Sequence, residues 1–514
     1  MSILEIKGLT HMFDEKMLFA NANLVINNGE HTGVVGLNGA GKTTFINIIA
    51  GNLMQDAGEV KWLNGIRWGY LDQHANIDRG LSVMDYLRTS FKYLYELNDK
   101  LEALYTEMSE VTDMDLLDKM IEKSSKMQDK LTHNEFYDLD STIKKIANGL
   151  GVNAFGYDTI IRTLSGGQRA KLVLAKLLLE NLDIMLLDEP TNFLDVEHIE
   201  WLVKYLDTFE GTFLVISHDT AFLNNVCKAV VNIENGEIKK YTGNYIEFMA
   251  QREQNAKQYA ESYERQQREI EKMQIYIAKN KARAATAGMA NSRKKMLDRI
   301  EVMQKPRTTL EAHFSFPYIS LNTKDMLDIK NLEIGYSKIL LPPINIHMGS
   351  QSKLWIRGTN GIGKSTLLKT LMNIISPLGG SFHFHIASKI AYLEQDLQFR
   401  NTGISAMTYV NEMFPRYNQK EQRAELAKAG IRGELAIKPI CNLSGGEQVR
   451  VRLVSIMNTS SNILILDEPT NHLDINAKES LSEALAEYEG AIILVSHEAE
   501  FANSVCNEVF DVKN

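Results

Sequence analysis

The sequence has few cysteines, no long hydrophobic run and no excess of positive charge. Its three cysteines, Cys227, Cys441 and Cys506, are far apart and form no Cys-x-x-Cys pair. This spacing excludes a disulfide framework, a zinc ribbon and a cysteine-ligated iron–sulfur cluster, and it fits a reducing cytosol. No apolar stretch reaches the roughly 18 residues that a membrane helix needs, and the first residues show no secretory signal pattern. We therefore expect a cytoplasmic protein without a membrane partner.

The overall charge also limits the class of protein. A formal net charge of −9 over 514 residues excludes a generally basic nucleic-acid coat protein, although a local basic element remains compatible with it. Hydrophobic residues make up 44% and charged residues 24% of the chain, which is typical of globular domains. The length predicts about three domain-sized units.

The chain carries one set of motifs twice. Two glycine-rich loops span residues 36–43 and 358–365, and in both copies 31 residues separate the loop lysine from a glutamine. In both copies, 23 residues separate a Leu-Ser-Gly-Gly serine from an Asp-Glu-Pro-Thr aspartate, and 30 separate that aspartate from the histidine of a Ser-His pair. Chance agreement of three spacings and four motifs is negligible. The sequence therefore predicts a duplicated domain.

The first copy carries an insertion, the arm, at about residues 88–136. There, apolar residues recur at steps of three and four in two stripes, separated by an Asp-rich break at residues 112–115. The pattern predicts an antiparallel helical hairpin. Acids outnumber bases in the arm, which favours a protein contact over phosphate binding; a packed embellishment without a partner is the alternative.

A polar segment, the linker, connects the two copies at residues 244–318. Its pattern predicts two long helices with a turn near residues 284–292, the second helix being stopped by Pro306. The first helix, with roughly 36–38 residues, would be about 55 Å long. Residues 273–297 contain no acid and six bases, namely Lys279, Lys281, Arg283, Arg293, Lys294 and Lys295. An all-basic tip in an acidic protein predicts RNA binding through phosphate, whereas the alternative is a merely solvated linker.

Each glycine-rich loop follows an apolar strand and precedes a helix, which is the context of a phosphate-binding P-loop. Glycines let successive backbone N–H groups converge on the phosphates, and the helix dipole adds to their effect. Lys42 and Lys364 would reach the β- and γ-phosphates, and Thr43 and Ser365 would ligate Mg²⁺. ATP and Mg²⁺ are thus the predicted cofactors, and the remaining nucleotide-binding candidates in the loops are Gly36, Asn38, Gly39, Gly41, Thr44, Gly358, Asn360, Gly361, Gly363 and Thr366.

Two buried-strand runs end in paired acids. Asp188 and Asp467, at the ends of these strands, are suited to the Mg²⁺ shell, because ligands gather at the carboxyl edge of open α/β sheets. The next residues, Glu189 and Glu468, are positioned to orient or deprotonate an attacking water. The alternative is a pair of capping acids. His218 and His497, at the same sheet edge, are predicted to sense the γ-phosphate, and a structural role is their alternative.

The Leu-Ser-Gly-Gly segments precede helices, so each serine is predicted to cap a helix and to contribute an anion site. A cap alone is the simpler interpretation. Each domain already has a P-loop, however, so a second phosphate site per domain is useful only across a domain interface. We therefore expect the two halves to sandwich two nucleotides head to tail.

Together, these motifs resemble the ABC ATPase domains in both copies. Twin domains with an arm in the first copy and a basic helical linker resemble the ABC-F family over essentially the full chain. The resemblance implies an α/β fold class with two P-loop ABC-type nucleotide-binding domains, at residues 1–243 and 319–514. A long α-helical hairpin linker would join them, with the helical arm inserted in the first domain.

The same resemblance implies a function and further site residues. The function is that of a ribosome-associated ATPase near the tRNA exit site, with the linker directed to the P-site tRNA and the peptidyl-transferase region. Its partners would be large-subunit rRNA and P-site tRNA, and the protein would be a monomer. Phe13 and Tyr336 would stack on adenine, and Gln73 and Gln395 would touch Mg²⁺ and the attacking water. Two tetrapeptides would complete the sites: Ser444, Gly445, Gly446 and Glu447 for the first P-loop, and Ser165, Gly166, Gly167 and Gln168 for the second.

The two copies differ in some of their motif residues. The second copy has Leu-Ser-Gly-Gly-Glu and Ser-His-Glu where the first has Gln and Ser-His-Asp, so we expect unequal rather than inactive sites. Because residue 514 follows the second domain directly, we expect no C-terminal extension.

The ATP-binding subunit of a membrane importer and a DNA-organising ATPase are the other classes of protein considered. A basic hairpin of roughly 70 residues has no place in the former, and the latter needs far longer coiled coils. A translation factor and an antibiotic-resistance factor remain open, and the modest tip slightly favours the former.

Overall fold

Two largely parallel sheets, one in each half of the chain, carry the repeated motifs at their strand ends. The computed structural model describes the chain except residues 14–15, 38, 72–78, 112, 235, 281–286, 301, 304–311, 322, 360, 396–398, 400, 472 and 513–514. It also leaves undescribed the side chains of residues 16, 280, 287, 288 and 290.

The first half contains a three-stranded antiparallel sheet, in the order β2-β1-β4, and a six-stranded sheet in the order β5-β6-β7-β3-β8-β9. In the larger sheet, neighbouring strands from β5 through β6, β7 and β3 to β8 pair in parallel, and β9 is antiparallel to β8. The strands are β1 (Ser2–Phe13), β2 (Lys16–Asn27), β3 (His31–Val35), β4 (Ala57–Trp62), β5 (Trp68–Leu71), β6 (Ile184–Asp188), β7 (Thr212–Ile216), β8 (Ala229–Glu234) and β9 (Glu237–Thr242).

Helices cover this sheet because its central strands are apolar on both faces. Every residue of β3, β6 and β7 is buried, as expected for parallel strands between helical layers. The helices of the first half are α1 (Lys42–Ile49), α2 (Val83–Arg88), α3 (Lys92–Met108), α4 (Met114–His133), α5 (Leu139–Gly149), α6 (Gly166–Leu179), α7 (Val196–Asp207) and α8 (Thr220–Val226).

The arm consists of α3 and α4. Leu94, Leu97 and Leu101 of α3 pack with Leu131 of α4 in one small core, so the predicted stripes face each other. Asp113 caps α4 by accepting a hydrogen bond from the amide of Asp115 at 3.0 Å, which explains the Asp-rich break. The predicted helical hairpin is therefore confirmed.

The linker contains α9 (Tyr245–Asn280) and α10 (Ala287–Leu297). The 36 residues of α9 match the predicted length, but the prediction for the second helix is wrong at both ends. It begins at Ala287, inside the predicted turn, and ends at Leu297 rather than near Pro306, which lies outside the described residues. Arg299 and Ile300 donate to carbonyls three residues back, and the Met303 amide donates to Gln266 Oε1 of α9 at 2.7 Å. A tertiary hydrogen bond therefore joins the segment after α10 to α9.

The second half repeats the architecture without the arm. A three-stranded sheet has the order β11-β10-β13, and a five-stranded parallel sheet has the order β14-β15-β16-β12-β17. The strands are β10 (Asp325–Glu333), β11 (Ile344–Gly349), β12 (Lys353–Arg357), β13 (Gly379–Phe384), β14 (Ile390–Leu393), β15 (Ile463–Asp467), β16 (Ala491–Val495) and β17 (Glu508–Asp511). The helices are α11 (Lys364–Leu371), α12 (Ala406–Met413), α13 (Gln419–Lys428), α14 (Gly445–Met457), α15 (Ile475–Glu487) and α16 (Ala499–Val505).

The described helices give no sign of a membrane span. None of them combines the length and the apolar character that crossing a bilayer requires.

Candidate nucleotide-binding sites

Each glycine-rich loop leads from a buried strand into the N-terminus of a helix. Gly41 and Gly363 precede α1 and α11 with φ of 97° and 118°, in the left-handed region that glycine adopts without strain. A Cβ at Gly41 would also lie 3.1 Å from the Phe19 ring. Both loops therefore need glycine for their turn, and Gly41 also needs it for close packing.

The P-loop lysines fold back over their own loops. Lys42 Nζ donates hydrogen bonds to the Gly36 and Leu37 carbonyls at 2.9 and 3.3 Å, and Lys364 Nζ makes the equivalent bonds to Gly358 and Thr359 at 2.6 and 3.2 Å. Burial lowers the pKa of both lysines, against the raising effect of nearby carboxylates. Each loop thus holds a largely buried cation where a phosphate would bind.

The two predicted catalytic glutamates have the same unusual backbone. Glu189 and Glu468 follow β6 and β15 with φ of 50° and 51°, a strained conformation for a side chain with a Cβ. Glu189 Oε1 lies 3.3 Å from His218 Nε2, and Glu468 Oε1 lies 3.0 Å from His497 Nε2. The structure therefore brings each predicted glutamate and histidine together.

The carboxylates at the ends of these strands are buried. Burial, with the neighbouring Asp188 carboxylate, raises the pKa of Glu189 to about 7. Burial likewise raises the pKa of Asp467 to about 6, against the smaller opposing effect of the nearby Ser365 hydroxyl. Among the described residues, neither carboxylate oxygen of Asp467 meets a hydrogen-bond donor in good geometry. Ser365 Oγ donates instead to Gln395 Oε1 at 3.3 Å, so an oxygen-rich site that suits a hard cation lies at the end of β15.

The Leu-Ser-Gly-Gly serines, Ser165 and Ser444, cap the helices that follow them. Ser444 Oγ accepts from the Glu447 amide, and Glu447 Oε2 accepts from the Ser444 amide at 2.8 Å. Ser165 and Gln168 form the same reciprocal capping box. The capping prediction is confirmed.

The serines also face the opposite domain. A cavity of about 320 Å³, called site one, is lined by Lys42, Thr43 and Glu189 of the first domain and by Ser444 and Gly445 of the second. Its further lining includes Gly39, Gly41, Thr44, Asp188, His218 and Gly446. The structure thus places the second signature against the first P-loop.

A second cavity, of about 440 Å³, is called site two, and of the second P-loop only Gly361 is among its described lining. Ser165, Gly167 and Gln168 of the first domain line it together with Gly361 and His497 of the second. Gln395 also lines it, and Gly166 lies in the same signature segment. The arrangement of the two cavities is head to tail.

Other predicted residues lie apart from these cavities or outside the described residues. Phe13 and Tyr336 have 61% and 69% of their surface exposed, and neither is in the described lining of either cavity. Asn38, Gln73 and Asn360 lie outside the described residues.

The described basic residues of the linker are not among those that line either cavity. Lys279, Arg293, Lys294 and Lys295 are exposed at the ends of α9 and α10, and the Arg293 guanidinium lies 3.8 Å from the centre of the Tyr276 ring. Lys281 and Arg283 fall outside the described residues.

Sequence reasoning missed a pair of buried contacts behind each signature. Lys171 Nζ of α6 lies 2.9 Å from Asp195 Oδ2, and Arg450 of α14 pairs in the same way with Asp474. Each pair joins a signature helix to the segment after the Asp-Glu-Pro-Thr motif. The signal was present in the sequence, because both pairs are 24 residues apart.

Comparison with known proteins defines the class. Family models described as "ABC transporter" match residues 19–192 and 341–471, and residues 231–316. An archaeal ribosome recycling factor, solved in complex with a ribosomal stalk protein, superposes with a TM-score of 0.60 over 99% of this chain and 87% of that chain, at 16% identity. The fold-class prediction is confirmed. The chain is a tandem ABC ATPase, which binds and hydrolyses ATP.

Two relatives narrow this class. The chain is 42% identical over its whole length to the ABC transporter ATP-binding protein YfmM of Bacillus subtilis (strain 168), of which it covers 99%. It is 32% identical to ABC transporter F family member 2 of Arabidopsis thaliana, over 95% of this chain and 73% of that protein. The chain belongs to the ABC-F family.

Proposed function

We propose that this protein is a cytoplasmic, ATP-driven ribosome factor that binds near the tRNA exit site and acts through its linker on the P-site tRNA and the peptidyl-transferase centre. The observation that carries the proposal is the linker tip. Four exposed bases, Lys279, Arg293, Lys294 and Lys295, lie there without an acid, in a chain of net charge −9. Such a local basic element fits RNA phosphate, and the 36-residue α9 gives it reach.

The nucleotide chemistry in this proposal belongs to the two interdomain sites. Asp188 and Thr43 at site one, with Asp467, Ser365 and Gln395 at site two, would hold Mg²⁺, because they offer oxygen ligands at a buried sheet edge. When bound, Mg²⁺ neutralises charge on the phosphates. Glu189 and Glu468 would orient or deprotonate the water, and His218 and His497 would hold these carboxylates in place and sense the γ-phosphate.

The root of α9 gives the linker a means to respond to domain closure. Tyr245 and Phe248 pack in the main core of the first domain, and Ile475 of the second domain packs against that core. The same α9 residues share a crevice with Gly36 of the first P-loop and with Asp474. ATP that bridges both domains would favour the closed state and the binding pose of the linker, and hydrolysis would release the complex.

Within this proposal, a translation factor is favoured over an antibiotic-resistance factor. Only six residues, 281–286, separate α9 from α10, so the tip is modest in length. If expression of the protein in a sensitive host raised tolerance to lincosamides, pleuromutilins or streptogramin A, that preference would be reversed.

Cosedimentation tests the proposal. The variant Glu189→Gln/Glu468→Gln, loaded with ATP, is expected to pellet with ribosomes at physiological salt, because blocked hydrolysis keeps the domains closed. The same variant without nucleotide is the matched control and is expected to remain largely in the supernatant. No enrichment over background with ATP would contradict the proposal.

A further inference from the structure

Lys478 is a buried cation at the boundary between the two domains. It lies in the first turn of α15, and its Nζ is 2.7 Å from Glu498 Oε1 of its own domain. The same nitrogen donates a hydrogen bond of 3.1 Å to the main-chain carbonyl of His218, in the first domain. Only 11% of the lysine side chain is exposed. One ammonium group therefore joins the Ser-His segments of the two copies.

The carbonyl that Lys478 binds belongs to the segment that holds the site-one glutamate. The His218 amide donates to Glu189 Oε2 at 3.3 Å, and His218 Nε2 lies 3.3 Å from Glu189 Oε1. Lys478 also lines the cavities of both sites, but the hydrogen bond that its Nζ donates to the first domain goes to His218, which contacts the site-one glutamate. A cation of the second domain is thus connected through His218 to Glu189, and the connection exists only while the domains are in contact.

Site two lacks the equivalent of this lysine contact. Ile199 and Lys478 both lie 11 residues after the aspartate of their Asp-Glu-Pro-Thr motif, so the counterpart of the lysine is an apolar residue without a donor. The acids differ as well. Asp219 caps α8 by accepting from the Phe222 amide at 2.9 Å, whereas Glu498 makes no such cap bond and its longer side chain reaches Lys478.

We propose that Lys478 is a positioning residue that acts across the domain interface, holding His218 and therefore Glu189 of site one in the hydrolytic arrangement when the domains close. Site two has Ile199 at the equivalent position, so hydrolysis at site one depends more strongly on closure. This inference rests on the proposed role of Glu189 and Glu468 as the water-activating residues.

The test isolates each site in the full-length chain. In the Glu468→Gln background, where only site one retains its glutamate, Lys478→Met is expected to slow single-turnover ATP hydrolysis about 10-fold, since it removes a charged hydrogen-bond donor. In the Glu189→Gln background, the same substitution is expected to change the rate of site two less than about twofold. Lys478→Arg, which keeps the charge, is expected to restore most of the site-one rate. Lys204→Met, at an exposed lysine of α7, is the matched control and is expected to leave both rates unchanged.

Two results would overturn the inference. Equal slowing of both sites would show that Lys478 only supports the folded interface, and an unchanged site-one rate would show that it positions nothing. Failure of the proposed function gives a different result: if neither single Glu→Gln background slowed hydrolysis, the assignment of the glutamates would be wrong irrespective of Lys478.

Discussion

Replacing Glu189 and Glu468 together with glutamine is expected to lower steady-state ATP hydrolysis by about 100-fold to 10,000-fold, the range typical of a lost general base. Glutamine keeps the shape of the side chain and removes its charge and basicity. ATP binding should persist, because the P-loops and signatures are unchanged. Phosphate release measured at saturating ATP is the appropriate assay.

The backbone supports the choice of these two residues. Both adopt positive φ at the end of a buried strand, and each lies against a histidine at almost the same distance. Strain that recurs in both copies is typical of functional positions. Glu197→Gln/Glu483→Gln, at exposed glutamates of α7 and α15, is the matched control and should leave turnover unchanged. Turnover within about threefold of the unmodified chain in the Glu189/Glu468 variant would refute the assignment.

Charge reversal at the linker tip is expected to have the second largest effect. Changing Lys279, Lys281, Arg293 and Lys294 to glutamate should weaken RNA binding on the order of 100-fold at low salt, because four phosphate contacts become repulsive. The slope of log affinity against log salt should fall in magnitude by about 3 to 4. Binding of ribosomes or rRNA across a salt series measures both quantities.

The arm provides a control of equal charge. Its helix α4 carries four lysines on the other helical hairpin, Lys119, Lys123, Lys126 and Lys130, and their reversal should leave the salt slope unchanged. Basal ATP hydrolysis should survive the linker reversal, since Lys279, Arg293 and Lys294 are not among the described residues that line either cavity. A loss of ATPase activity with unchanged RNA binding would show that the linker is structural.

The features that follow from local sequence patterns were predictable. The strand ends at Asp188 and Asp467, the helices after Ser165 and Ser444, and the arm hairpin follow from local patterns of apolar residues and caps. These patterns act over a few residues, so a single sequence contains them.

Features that depend on contacts between distant segments were not predictable. The second linker helix ends at Leu297, and beyond it the Met303 amide donates to Gln266 on the other helix, a contact between distant segments. The positive φ of Glu189 and Glu468 arises where the chain leaves a buried strand. Glutamate has no preference for positive φ, so the sequence does not predict this conformation. Lys478 reaches across a domain boundary to His218, a relation that no spacing within one copy reveals.

The number of ATP molecules held per chain tests the account's central claim most directly. Equilibrium dialysis of Glu189→Gln/Glu468→Gln is expected to give two ATP per chain, and addition of Ser444→Arg is expected to reduce this to one. Ser444 belongs to the second domain but faces the first P-loop, so the added bulk would block site one and spare site two. A single ATP in the parent variant, or two retained after Ser444→Arg, would contradict the head-to-tail arrangement of the sites.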